Sequence, residues 1–326
     1  MHKLKTNSYD LIQTLANNFS GNKLPAYFNA YEESQNGADA NKKTQAGKDF
    51  VAYNDAYAEA KTIKQRIDAA TTTTIFTQEE INEAKAKLDK AREAIVTYAT
   101  KPSALQTSAD QDAVTQSTTA YKNAKALAAK ASDTSLTGDE KTKATEAKNI
   151  VDEYTNALAA AKKVLENKVD KDKDAHGQEI TKLDGEGEPS SATFLNGVQK
   201  HPENKALQKD VDAALKRLDA ARAALSAYAT KKDDLRKSVD ADADTKQLPQ
   251  YKNTDSPVFK NDSGDADGTR NGKASAAKTA YDQALSSAKN VLAKQDATQV
   301  EVDTALKKLD DARKALDAYN LSLIHI

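Results

Sequence analysis

The chain has 326 residues, room for two or three ordinary domains, and its Lys+Arg 48 against Asp+Glu 49 leave a net charge of −1. So even a balance excludes binding of nucleic acid or anionic membrane through bulk charge, and the lack of Cys excludes disulfides, thiolate metal sites and a Cys nucleophile. With 6% aromatic residues and no Trp, the core is predicted to be narrow and Ala-lined, as closely packed helices allow. No apolar run is long enough to span a membrane. The opening MHKLKTNSYDLIQ is basic at its start but has no apolar h-region of a signal peptide.

Repeat 1 (residues 1–100) begins with Tyr9, Leu11, Ile12 and Leu15, the spacing of a short amphipathic helix. Leu24-Pro25-Ala26-Tyr27-Phe28-Asn29 follows and reads as a turn after that helix. Beyond a polar stretch at 32–48, a second helix keeps Tyr57 and Ala60, with Ile63 and Ile67 carrying its apolar face. Thr77 and Glu80 have the spacing of a capping box. They precede a third helix with apolar positions Ile81, Ala84, Leu88, Ala91, Ile95 and Tyr98, in steps of 3, 4, 3, 4, 3.

Repeat 2 (residues 101–230) opens at Pro102, which is placed to break or kink the preceding helix. Leu105 stands as far before Tyr121 and Asn123 as Leu11 stands before Tyr27 and Asn29. A polar segment at 131–142 leads to a middle helix that starts early, at Asp139-Glu140, and presents Tyr154, Ala157, Leu158, Ala161, Val164 and Leu165. An inserted loop of about 36 residues, within roughly 166–203, precedes the third helix: Tyr154 to Val211 is 57 residues, against 21 for Tyr281 to Val302 in repeat 3. That helix repeats the ruler at Val211, Ala214, Leu218, Ala221, Leu225 and Tyr228.

Repeat 3 (residues 231–320) has Leu235 and Val239, then Leu248-Pro249-Gln250-Tyr251-Lys252-Asn253, with a long polar loop at 252–273. Its middle helix carries Tyr281, Ala284, Leu285, Ala288, Val291 and Leu292. Thr298 and Glu301 mark the cap of the last helix, whose ruler is Val302, Ala305, Leu309, Ala312, Leu316 and Tyr319. An Arg follows the fourth ruler position each time, as Arg92, Arg222 and Arg313.

Three matches to one ruler define an internal repeat. The fold class is therefore all-α: tandem three-helix bundles in an elongated array. Leu225, Tyr228, Lys232, Leu235 and Val239 keep the stepping across the repeat 2–3 junction with no Gly or Pro, which predicts one long helix shared by both repeats. Each Ala-rich bundle is small enough that neighbouring repeats of the same chain should support it. Residues 321–326, Leu-Ser-Leu-Ile-His-Ile, resemble the translation of a transposon-end sequencing adaptor and are read as a scar, so the chain is read as a piece of a longer protein.

The stretch AYDQALSSAKNVLAKQDATQVEVDTALKKLDDARKAL, Ala280 to Leu316, resembles the FIVAR-type repeats of large Gram-positive surface proteins. Repeat 2 resembles them in both helices around its insertion, and repeat 1 mainly in its third helix. The resemblance implies an extracellular place on the bacterial cell surface and a non-catalytic role as a spacer or stalk. Two alternatives come with it: an adhesive module for a host matrix protein or glycan, or an accessory region of a secreted glycosidase.

Little else in the chain carries chemistry. His2 and His325 lie near the ends and His176 and His201 in the inserted loop, and no nucleophile elbow, His-Glu-x-x-His or phosphate-cradling loop occurs. The chain is read as non-catalytic, without cofactor. Asp170, Asp172 and Asp174, and Asp262, Asp265 and Asp267 before Gly268, resemble fragments of calcium loops but lack the terminal Glu; solvated polar loops are the plainer reading. The candidate ligand contacts are the recurring pairs Tyr27 and Asn29, Tyr121 and Asn123, Tyr251 and Asn253, where an aromatic face and an amide could hold a sugar. Each Tyr could equally plug a bundle end.

Overall fold

The computed structural model describes residues 24–35, 44–69, 77–166, 206–254 and 269–319, and 86% of these are helical, with no strand among them. The amphipathic start of repeat 1, both acidic loops, all four His, nearly all of the insertion and the six C-terminal residues lie outside the described residues.

The helices are α1 Leu24–Gln35, α2 Gln45–Asp68, α3 Gln78–Val96, α4 Ser103–Asp110, α5 Asp112–Ser117, α6 Thr119–Ala128, α7 Gly138–Leu165, α8 Gln208–Ala224, α9 Asp233–Asp240, α10 Asp242–Gln247, α11 Pro249–Asn253, α12 Thr269–Ala293 and α13 Gln299–Leu316. Contacts group the chain into two bodies, Met1–Asp112 with Tyr154–Ala220 and Ala113–Glu153 with Ala221–Ile326, a division that passes inside α7 and α8.

In the first body α1, α2 and α3 enclose a core richer in aromatic rings than the composition implies. Tyr27, Phe28, Tyr31, Phe50, Tyr53 and Tyr57 are all buried, together with Ile81, Leu88 and Ile95. Tyr27 meets Phe50 at 5.1 Å and stands edge-on to Tyr53 at 5.9 Å, spacings that favour aromatic pairs. Room for them comes from small residues where helices cross. A Cβ on Gly47 of α2 would lie 2.8 Å from the Glu33 carbonyl oxygen of α1.

In the second body α9, α12 and α13 pack Leu235, Val239, Tyr281, Leu285, Val302, Leu309 and Leu316 into a leaner core. This is the Ala-lined arrangement anticipated from composition. The ruler of the third helix is borne out here, since Val302, Ala305, Leu309 and Leu316 are buried.

Caps form where expected. Thr77 Oγ1 accepts from Glu80 N while Glu80 Oε2 accepts from Thr77 N, and Thr298 and Glu301 do the same. In repeat 2 the cap position is Leu207, which has no hydroxyl, so only half of the box survives, with Leu207 N donating to Asp210 Oδ2 at 2.8 Å. The early start of α7 is also found, at Gly138, whose φ of +55° lies in the left-handed region that favours glycine.

Three expectations are corrected. The predicted long helix across the repeat 2–3 junction is broken: α8 ends at Ala224, a 3-10 turn covers Leu225–Tyr228, Ala229 is extended at ψ 141°, and α9 starts at Asp233. The segments preceding Tyr-x-Asn in repeats 2 and 3 are not single helices but pairs of short ones, α4–α5 and α9–α10. The Tyr-x-Asn stretches themselves are helical, lying in α1, α6 and α11. The turn therefore comes before them, at Thr118, which caps α6 through Tyr121 N, and at Leu248, after which Pro249 occupies the first turn of α11.

Candidate functional site

The polar side chains of the Tyr-x-Asn positions converge on helix ends of this same chain. In the first body Asn29 Nδ2 donates to Tyr98 O at 2.9 Å and to Thr100 Oγ1 at 3.2 Å, while Asn29 Oδ1 accepts from Gln208 N at 2.8 Å. Thr100 Oγ1 in turn donates to Ala206 O at 2.9 Å, and Lys101 N donates to Gln208 Oε1 at 2.8 Å. One Asn thus joins the frayed end of α3 to the start of α8.

The second body repeats this clamp atom for atom. Asn123 Nδ2 donates to Tyr228 O at 2.9 Å and Thr230 Oγ1 at 3.0 Å, and Asn123 Oδ1 accepts from Gln299 N at 2.8 Å. Thr230 Oγ1 donates to Ala297 O at 2.7 Å and Lys231 N to Gln299 Oε1 at 2.8 Å. Here lies the physical reason that no continuous helix crosses this junction. In a helix Tyr228 O would accept from Lys232 N; instead Asn123 occupies it, and Thr230 and Lys231 turn their groups toward the start of α13. Lys232 Nζ then caps the end of α12, donating to the carbonyls of Leu292 and Lys294. In repeat 3 Asn253 Nδ2 donates to Tyr319 O at 3.0 Å.

The Tyr rings are set beside these clamps with unequal exposure. Tyr27 is buried in the aromatic core, and burial pushes its hydroxyl well above the usual phenol range. Tyr121 is buried, with Lys125 Nζ 5.9 Å from its ring centre. Tyr251 is half-buried: its hydroxyl donates to Asp282 Oδ1 at 3.1 Å, its ring stands edge-on to Tyr281 at 5.8 Å, and Lys278 Nζ lies 5.2 Å from its centre. Beside Asn29 the first body has an open cleft of about 390 Å³, lined by Glu32, Tyr98, Lys101, Lys209 and Asp212 among others.

A second recurring set ties the third helix to the broken first one. Arg313 donates from Nε to Thr245 Oγ1 at 3.2 Å and from Nη2 to Ser238 O at 2.7 Å, and Ser238 Oγ donates to Asp310 Oδ1 at 2.8 Å. Arg222 Nε likewise donates to Thr115 Oγ1 at 3.0 Å, and Ser108 Oγ to Asp219 Oδ1 at 2.6 Å. Tyr154 and Tyr281 donate to the matching carboxylates, Asp112 and Asp242. In repeat 1 the residue that takes the place of Tyr281 is Tyr53, not Tyr57. Tyr53 is fully buried, its hydroxyl is raised to about 12 chiefly by burial, and Arg92 lies close enough to counteract part of that rise.

Sequence reasoning singled out the Asn and Arg positions and missed Thr100, Thr230, Gln208, Gln299 and Tyr53. A signal was present: Tyr-Ala-Thr-Lys occurs at both junctions, and Gln78, Gln208 and Gln299 all open their helices. Among the described residues no cluster of His, Cys, Asp and Glu could hold a metal ion, and no helix is long and apolar enough to cross a membrane.

The described residues thus present helical repeats whose recurring polar side chains fasten helix ends. The FIVAR domain is detected at residues 264–317, a stretch that contains α12 and α13. FIVAR domains are a non-catalytic module family of Gram-positive surface proteins. No curated protein matches the chain, and no solved structure does.

Proposed function

We propose that this chain is a spacer region of a cell-surface protein, a row of repeats that holds a distal domain away from the wall. The observation that carries the reading is the clamp, present twice with the same donors and acceptors. It engages both amide atoms of Asn29 and Asn123 within the protein and so uses the most regular polar pattern of the sequence for joining helices. A joint made of five directed hydrogen bonds resists bending better than a Gly- or Ser-rich linker would. FIVAR modules are known from surface proteins, and the match at residues 264–317 supports the reading of an extracellular location on the bacterial cell surface.

Fibronectin binding and a glycan array test the spacer reading. The expected result is no saturable binding; binding abolished by changes at the Tyr-x-Asn positions would overturn it.

A second reading, an adhesive module for host matrix protein or glycan, is favoured by the cleft beside Asn29, whose mixed Lys and Glu lining surrounds an open volume of about 390 Å³. Under that reading, binding localises to the cleft and is lost in Lys101→Glu with Lys209→Glu. The third reading, an accessory region beside a glycosidase domain, draws its support from the family resemblance alone.

A further inference from the structure

The break between α8 and α9 interrupts a sequence that has no local helix breaker. Leu225 to Val239 contains neither Gly nor Pro, and its apolar stepping runs straight through the non-helical residues Ala229-Thr230-Lys231-Lys232. Ala and Lys are among the better helix formers. Side chains from elsewhere in the second body hold the break. Five hydrogen bonds join Asn123, the Tyr228–Lys231 stretch and the start of α13, and Lys232 Nζ lies on the end of α12.

A continuous helix returns partners in exchange. Tyr228 O accepts from Lys232 N, and the N–H groups of Asp233, Asp234 and Leu235, which have no partner within α9, reach the carbonyls of Ala229, Thr230 and Lys231. Asp233 and Asp234 weigh on the other side, because acidic side chains favour a helix N-terminus over a helix interior. One set of hydrogen bonds thus stands against another.

The junction in the first body has no such alternative. Pro102 stands where Lys232 stands, four residues after Tyr98. It has no N–H to give Tyr98 O, and in a continuous helix its ring would collide with that same carbonyl. It also disfavours the helical region for Lys101.

We propose that the two junctions differ in kind. The one at Tyr228–Lys232 is a two-state joint, broken while Asn123 holds it and a continuous helix when Asn123 lets go, whereas Pro102 locks the one at Tyr98–Pro102 in the broken form. Anything that draws α6 away from the start of α13 shifts the joint toward the helix. The difference holds whether or not the chain serves as a spacer.

Cα chemical shifts of the isotopically labelled full chain test this. In the parent, Ala229 to Lys232 should show non-helical values; in Asn123→Ala they should become helical. Adding Lys232→Pro to that variant should abolish the new helix. Asn29→Ala should leave Ala99 to Lys101 non-helical, and only Asn29→Ala combined with Pro102→Lys should make that stretch helical. Thr230→Val removes two clamp bonds and leaves Asn123 on Tyr228 O, so it is the milder variant. It should raise the helical fraction roughly tenfold, the effect of one or two net hydrogen bonds, read by relaxation dispersion at the same residues. Parent-like shifts at Tyr281 and Leu309 show that the core of each second-body variant is folded. The proposal is overturned if Ala229 to Lys232 stay non-helical in folded Asn123→Ala, if Thr230→Val shows no added exchange, or if Asn29→Ala makes a helix with Pro102 in place.

Discussion

At the scale of single residues, Asn123 decides whether the polypeptide at its junction runs on as a helix or turns aside. It is 8% exposed and makes three hydrogen bonds, so its removal leaves Tyr228 O, Thr230 Oγ1 and Gln299 N without the partner they face. Since an unsatisfied buried group costs more than a net hydrogen bond contributes, Asn123→Ala should destabilise the protein by roughly 2–4 kcal/mol in urea unfolding. Asn123→Asp keeps the acceptor for Gln299 N but turns a carboxylate oxygen toward Tyr228 O, and should cost no less. Equal stability of either variant and the parent would contradict the clamp.

Gly47 poses the opposite case. Helix propensity alone favours Ala there by about 1 kcal/mol, yet the new Cβ would press on the Glu33 carbonyl at 2.8 Å and on Ser34 Cα at 3.0 Å, both backbone atoms of α1. Overpacking of that kind costs about 1–3 kcal/mol, so sterics outweigh propensity. Gly47→Ala is expected to lower the melting temperature.

At the scale of elements, the start of α13 responds to pH. Glu301 is held at about 2, below its ordinary 4.5, first by Lys294 Nζ at 2.7 Å and then by the N–H and hydroxyl of Thr298. The folded state prefers the carboxylate, so the stabilisation is complete above pH 4.5 and is lost as pH falls from there toward 2. Glu301→Gln retains a capping box but not the charge. It should flatten that part of the acid-unfolding curve and change little at pH 7; an acid limb identical to the parent's would contradict the assignment. Thr298→Ala removes the cap hydroxyl and should cost about 1 kcal/mol.

Elements also show where sequence reasoning holds and where it stops. Capping boxes at Thr77 and Thr298 were legible because their donors and acceptors lie three residues apart. The ruler correctly named Leu225 and Leu235, 2% and 0% exposed, as buried. Periodicity reports which residues face a core, however, and not whether the backbone between them is helical. Four non-helical residues, Ala229 to Lys232, preserve the spacing between two helices, and what breaks the helix there is Asn123 on Tyr228 O. The clamps were illegible for a simpler reason: Asn29 and Gln208 are 179 residues apart, Asn123 and Gln299 176, and nothing local links them. Tyr53 was missed because the loop before α3 in repeat 1 is longer. That slides the matching heptad, so Tyr57, one turn on, looked like the counterpart of Tyr281.

At the scale of the whole molecule, all-α architecture, repetition and the FIVAR match agree. The arrangement of repeats in a row is the part of the proposal on which the spacer function depends. Exposed i,i+4 pairs contribute little to it. On α13 Lys307 pairs with Asp311 at 2.6 Å and Arg313 with Asp310 at 3.1 Å, and Asp303 accepts from Gln299. The clamps are what a row requires, since they fix each Tyr-Ala-Thr-Lys end against a distant helix start. Small-angle X-ray scattering at low concentration tests the spacer most directly. A compact chain of this length has a radius of gyration of roughly 20 Å; the account predicts a value well above that with the pair-distance tail of a rod, and a compact value with a symmetric distribution would contradict it.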